Sequence, residues 1–174
     1  MSNLRIHTVT NASVYLDGNS YVGKCDEVDL GSVKTVMRDV QGLGMIGAIE
    51  LPMGFEKIEG KIVWNSLYRD AAAQCAVPFT SVQLQLRSSV NAWGSQGRTQ
   101  ELPMVTLMTV LFKEYQLGSF KTNEAVKLET PFSALYVQQK IDGREVFLLD
   151  CLANIFRVNG VDQLARYRAN LGMN

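Results

Sequence analysis

Six consecutive residues, Gly42-Leu43-Gly44-Met45-Ile46-Gly47, spell G-x-G-x-x-G. That spacing is used to hold a dinucleotide pyrophosphate: the glycines let the backbone approach, and a helix N-terminus faces the charge. The chemistry needs a buried strand before the motif and a helix opening on its last glycine. Neither is written here. The preceding VKTVMRDV carries charge along its length, and the following AIELPMGFEK contains Pro52 and Gly54, which bar a useful helix. No βαβ unit follows, so no dinucleotide cofactor is predicted.

Other chemistries have little material. The single histidine, His7, lies near the N-terminus, where a Ser-His-Asp or Cys-His constellation would have to recruit it. Cys25, Cys75 and Cys151 are odd in number and widely spaced, which suits neither a disulfide framework nor a metal site. The acidic CDEVD of 25–29 reads as a solvated strand face, and no D-x-D-x-D-G loop is present. Catalytic residues, metal and cofactor are therefore all expected to be none. Lys and Arg number 17, as do Asp and Glu, which argues against a broad basic face for nucleic acid. The same neutrality removes a repulsion that keeps copies apart.

The elements around these residues are mostly strands. Val82, Leu84 and Leu86 alternate with Gln83, Gln85 and Arg87, and Ile58, Ile62 and Trp64 alternate with Glu59, Lys61 and Asn65. Both read as half-buried strands. Val105 to Phe112 is apolar at nearly every position, which predicts a strand covered on both faces. Asp17-Gly18 within 13–23 and Asp142-Gly143 within 136–149 predict two hairpins. One flanking helix is expected from Asn65 or Ser66 through SLYRDAAAQCA to Pro78, and a short C-terminal helix from a cap at Asp162 to Gly172. The 174 residues predict one mainly β domain. Its polar residues 1–12 are expected to form an N-terminal arm and 161–174 a C-terminal helix and tail. With no apolar leader and no run of about 20 apolar residues, synthesis and folding in cytoplasm without membrane insertion are expected.

The stretch 41–57 stands apart. It is too apolar for disorder and, with four glycines over 41–55, ill suited to a packed core. A long loop of this kind is functional more often than not. Met45, Ile46, Met53 and Phe55 on its surface would make an interaction patch. The predicted interface set is Gly42, Leu43, Gly44, Met45, Ile46, Gly47, Met53 and Phe55.

The C-terminal EVFLLDCLANIFRVNGVDQLARYRANLG of 145–172 resembles the end of the major tail tube proteins of contractile-tailed phages, a family that includes the R-type pyocin tube. The shared features are Asp150, Asn159-Gly160-Val161-Asp162, Leu164, Arg168 and Leu171-Gly172. The opening NASVYLDGNSYVGKCDEVDL is similar to that family's first hairpin, Gly42-Leu43-Gly44-Met45 stands where it has a Gly-Met turn, and 113–129 is similar to its Lys-Glu loop. The first ten residues and GAIELPMGF depart from the pattern. The resemblance implies an antiparallel β-barrel or sandwich subunit with a flanking helix and a short C-terminal helix. It implies homo-hexamer rings stacked into a hollow tube, with strands of six subunits joined around the lumen and the 41–57 hairpin reaching an adjacent ring. It further implies a tail sheath protein outside, a baseplate initiator at one end, and a tape-measure protein and then DNA passing through the lumen without specific binding. The location implied is the virion.

Three alternatives make different predictions. A pyocin-like or type VI secretion-like tube would share the rings but not the genome conduit. A monomeric β-sandwich binding module would keep 41–55 ordered alone. An enzyme using spatially paired carboxylates would show a deep pocket with perturbed acids.

Overall fold

The computed structural model describes residues 4–173. Strand β1 (Ile6–Leu16) turns tightly into β2 (Asn19–Ser20) through Asp17 and Gly18, both at positive φ. This is the two-residue turn that an Asp-Gly pair predicts. β3 (Cys25–Asp29) follows, then β4 (Thr35–Val40) and β5 (Ile49–Phe55), then β6 (Ile58–Trp64). Helix α1 (Arg69–Cys75) leads to the long strands β7 (Val82–Gly94), β8 (Gly97–Phe112) and β9 (Leu128–Ile141). The chain closes with β10 (Arg144–Asp150), β11 (Ile155–Val158), β12 (Val161–Asp162) and α2 (Ala165–Asn170).

Ten strands form one antiparallel sheet, eight of them in the order β12-β11-β10-β9-β8-β7-β1-β2 with β6 and β3 on a branch. The sheet forks at β9. Its first half pairs with β6, from Leu128↔Trp64 to Ala134↔Ile58, and β6 pairs with β3. Its second half pairs with β10 from Tyr136 onward. A bulge between Thr109 and Val110 falls at this fork, where an extra residue bends a strand and raises its twist. The two wings wrap a core that holds Leu16, Ile58, Ile62, Leu84, Met108, Val110, Phe112 and Phe132, each at most 2% exposed. Ala71 and Cys75 of α1 close it from one side. The result is the mainly antiparallel, sandwich-like fold expected, with two short helices.

Four local expectations change. Residues 6–12 of the expected arm are strand: Ile6 to Val9 pair with Trp93 to Val90, and Trp93 Nε1 donates to Thr8 Oγ1 at 3.0 Å. Residues 1–3 of that arm lie outside the described residues. Helix α1 starts at Arg69 rather than after Asn65, because the Asn65 amide is taken elsewhere. Its Nδ2 donates to the Gly23 carbonyl at 2.8 Å, and its Oδ1 accepts from the Tyr68 hydroxyl at 2.5 Å. The Asp162 carboxylate accepts from the Leu164 N–H at 2.9 Å, a turn bond two residues along, and α2 begins only at Ala165. Finally, β8 is not covered on both faces. Thr106, Met108, Val110 and Phe112 are buried, while Val105, Leu107, Thr109 and Leu111 are only half-buried.

Candidate functional site

The 41–57 segment is the end and return strand of a hairpin. β4 and β5 pair with each other and with no other strand, as a separate two-stranded sheet running from Thr35↔Phe55 to Val40↔Ile49. Ile49–Phe55, expected as loop, is therefore strand. It lacks burial alternation because no layer covers either face, and exposure pattern is what betrays a strand in sequence. Met53 is skipped in the ladder between Val36↔Gly54 and Met37↔Pro52, which makes it a bulged residue. Pro52 is tolerated because β5 has a free edge that needs no donor.

The structure splits the predicted interface set in two. Gly42, Leu43, Gly44, Met45, Ile46 and Gly47 cluster at the tip. There the Met45 N–H donates to the Gly42 carbonyl at 3.1 Å, the Gly42 N–H donates to Met45 Sδ at 3.2 Å, and Gly44 has φ +85°. This tight turn throws Leu43 and Ile46 outward, at 108% and 106% exposure. Met53 and Phe55 sit at the base. Met53 is exposed, but Phe55 is half-buried and meets Phe156 edge-on, ring centroids 4.9 Å apart, with Phe147 behind at 5.6 Å. Phe55 anchors the hairpin to the sandwich. Val36, Met37, Ile49 and Leu51 along the shaft are also exposed.

A second surface is the outer face of β1, β7, β8, β9 and β10. Ser13, Arg87, Val105 and Lys140 lie side by side in one rung, Tyr15, Gln85, Leu107 and Gln138 in the next. Gln83, Thr109 and Tyr136 make a third, and Gln83 Nε2 donates to Thr109 Oγ1 at 3.1 Å. The alternating polar set of β7 predicted such a wet face. Its charges are partly occupied: Arg87 lies over the Tyr15 ring at 5.7 Å, and Arg157 Nε stands 3.0 Å from Glu145 Oε1.

The sheet also has open edges. Among the described residues, β1 has no outer partner before Val14, whose carbonyl accepts from the Tyr21 N–H at 2.9 Å, and that open edge reads IHTVTNAS. It carries none of the lysines or prolines that blunt an unpaired edge. At the other end, β12 is a two-residue strand joined to β11 by Asn159-Gly160, both at positive φ. Beyond their part in the family resemblance, these two residues are a strong hairpin signal in their own right. Beyond it Asp162 accepts from Arg168 Nη2 at 2.5 Å, and Arg168 Nη1 donates to the Asn154 carbonyl at 2.9 Å. The clasp ties α2 to the β10–β11 turn, and the Arg168 guanidinium holds the Asp162 carboxyl below its usual range.

Little here points to reaction chemistry. Burial pushes Cys25 up to about 11, with Asp26 adding to it, and burial pushes Cys75 up to about 12. Thiols held protonated are poor nucleophiles. Hydrogen bonds from Lys113 and Lys57 lower Glu59 to about 2, which suits an ion-pair partner and not an acid catalyst. Among the described residues no three His, Cys, Asp or Glu groups could hold a metal together. No helix of the described residues is long and apolar enough to cross a membrane.

Comparison with known proteins gives the frame for these surfaces. The chain is 24% identical to the tail tube protein of Escherichia phage P2 over 162 residues, covering 92% of this chain and 94% of that protein. Its fold is similar to a chain of the PVC extracellular contractile injection system, solved as a sheath–tube complex in the extended state. The TM-score is 0.54 at 11% identity, covering 74% of this chain and 87% of that one. A chain of the PVC sheath/tube terminator gives TM-score 0.53 at 10% identity, covering 74% and 92%. Residues 6–172, nearly everything the structure describes, match the family described as phage tail tube protein FII, and the chain belongs to that family.

Proposed function

We propose that the whole chain acts as a single tail-tube domain whose copies form six-membered rings that stack into the hollow inner tube of a contractile phage tail, the conduit for DNA ejection. The observation that carries this reading is the two-faced sheet. One face holds the core, α1 and the hairpin base, while the other carries the alternating polar set of β1, β7, β8 and β9, partly open to water, with Gln138 and Leu148 buried towards its β10 side. A sheet closing into a ring must put its bulky side outward, so the rungs from Ser13 to Lys140 and from Gln83 to Tyr136 line the lumen. Closure joins the open β1 edge of one subunit to the β10–β12 side of the next, which removes an edge that would otherwise recruit strands at random. A barrel of many strands leaves an open channel. The β4–β5 hairpin makes the contact between rings, a head-to-tail contact that propagates without closing. Sheath protein outside, a baseplate initiator and a tape-measure protein are the further partners, and the virion is the location.

A structural role agrees with the protonated thiols and the ion-paired Glu59. The phage conduit is preferred over a toxin-delivery tube because the P2 relative is similar over nearly the full length, whereas the injection-system chains share only the fold. Negative-stain electron microscopy of the purified protein at rising concentration, alone and with a tail-initiation complex, tests the reading. Hollow tubes or six-fold rings are expected. A monomer under every condition, initiator included, would overturn the tube reading and leave the alternatives that need no rings.

A further inference from the structure

A groove of about 670 Å³ runs between the base of the β4–β5 hairpin and the C-terminal segment. Met53, Gly54 and Phe55 form one wall, and Cys151, Leu164 and Tyr167 line the other. We propose that this groove receives the hairpin tip of a second copy of the chain, with Leu43 and Ile46 as the inserted side chains. The inference rests on the tube reading and names the receiving surface that it lacks.

Three observations select that occupant. The tip offers two fully exposed aliphatic side chains on a turn braced by the Met45 N–H to Gly42 carbonyl and Gly42 N–H to Met45 Sδ bonds, so they are held outward ready for apolar burial. The groove is walled mainly by apolar groups, and Asp150 on its lining has Oδ1 turned to its own turn, accepting from the Leu152 and Ala153 N–H groups. Charge supplies the third. Asp39 and Glu50 stand directly opposite each other in the hairpin ladder, an arrangement that destabilises a strand pair unless a cation intervenes. Among the described residues neither has an ion-pair partner, and Arg38 falls on the other face. On the receiving side Arg166 is exposed on α2 between the groove residues Leu164 and Tyr167 and likewise has no ion pair. A copy whose tip fills the groove can bring its acidic pair to that guanidinium. Because the same hairpin gives the tip and forms a groove wall, each docking event braces the base of the receiving hairpin.

The native Cys151 makes the test direct, since it is exposed and lines the groove. Leu43→Cys is assembled into tubes and treated with diamide, which takes up the two electrons and two protons released by a thiol pair. The expected product is a ladder of covalent multimers on non-reducing gels, because each copy offers one tip and one groove, and Cys151→Ser abolishes it. Tubes of ordinary morphology with no ladder, or a ladder that survives Cys151→Ser, overturn the groove assignment and leave the tube reading standing. Failure of the unmodified chain to form tubes with an initiator overturns both. As a second readout, Arg166→Glu reduces tube yield at least tenfold, and the added pair Asp39→Lys and Glu50→Lys restores it. Undiminished yield from Arg166→Glu, or no recovery, removes the charge contact.

Discussion

The sandwich and the hairpin are built from the same residue types and behave as opposites. In the sandwich, Ile58, Met108, Val110, Phe112 and Phe132 are almost fully removed from water. In the hairpin, Val36, Met37, Leu43, Ile46, Ile49, Leu51 and Met53 are all exposed, carried by one two-stranded ribbon and its tip turn. An isolated two-stranded hairpin is marginal in water. One region is complete within a single chain, and under the tube proposal the other is completed only between chains. Hydrophobicity serves stability in the first, and in the proposed tube it serves recognition in the second.

The contrast can be broken at graded strengths. Phe132→Ala, at the heart of the sandwich, should cost about 3–5 kcal/mol, read as a lowered midpoint in urea unfolding of the unassembled subunit. Retained stability would mean that the core is not where the structure puts it. Gly60→Ala should come next, because a Cβ there would stand 2.4 Å from the Asp29 carbonyl oxygen and 2.5 Å from Phe132 Cζ. A loss of about 1–3 kcal/mol from forced repacking is expected. An unchanged melting temperature would show that β3 and β6 can part at no cost.

Acidification gives a smaller effect. Glu59 falls from its ordinary 4.5 to about 2 in the fold, chiefly through hydrogen bonds from Lys113 and Lys57, and Asp162 is also lowered by Arg168. A depressed acid contributes stability that is full above its unfolded value and is lost as pH falls through the folded one. The unassembled subunit should thus lose stability between about pH 4.5 and 2, and Glu59→Gln should flatten that slope. A slope unchanged in the variant would remove Glu59 from the account. Smallest in stability, and largest in assembly, is Met45→Asp with Ile46→Asp. The melting temperature should move by less than about 0.5 kcal/mol equivalent while tubes disappear. Normal tubes from that variant would erase the distinction between the two regions.

What the sequence made legible follows the same division. Alternation at 58–65 and 82–87 and the Asp-Gly turns located strands correctly, because a strand with one wet and one dry face writes that difference into its residues. The pattern failed where both faces share one environment. Ile49–Phe55 is wet on both sides and reads as loop. Val105–Phe112 has apolar residues on its wet face and reads as doubly covered. The start of α1 was misplaced because Asn65 bonds to Gly23, a contact with β3's approach that no local window contains. For the candidate site, the tip residues could be singled out by composition, but the receiving groove could not. Its walls come from 35–55 and 149–167, brought together only by the sheet order.

The neck of the hairpin has a consequence for how such tubes diversify. β3 and β6 are direct ladder partners, with Val28↔Ile62 and Asp29↔Lys61, so the chain leaves for the hairpin and comes back between adjacent backbones. The excursion is a cassette, spliced into the scaffold at one seam. Its sequence can drift, lengthen or be exchanged without rewriting the sandwich, provided that the Phe55 anchor is kept and that the surface it is proposed to engage drifts with it. Two tubes with one scaffold and different cassettes, made in the same cell, would grow side by side without mixing.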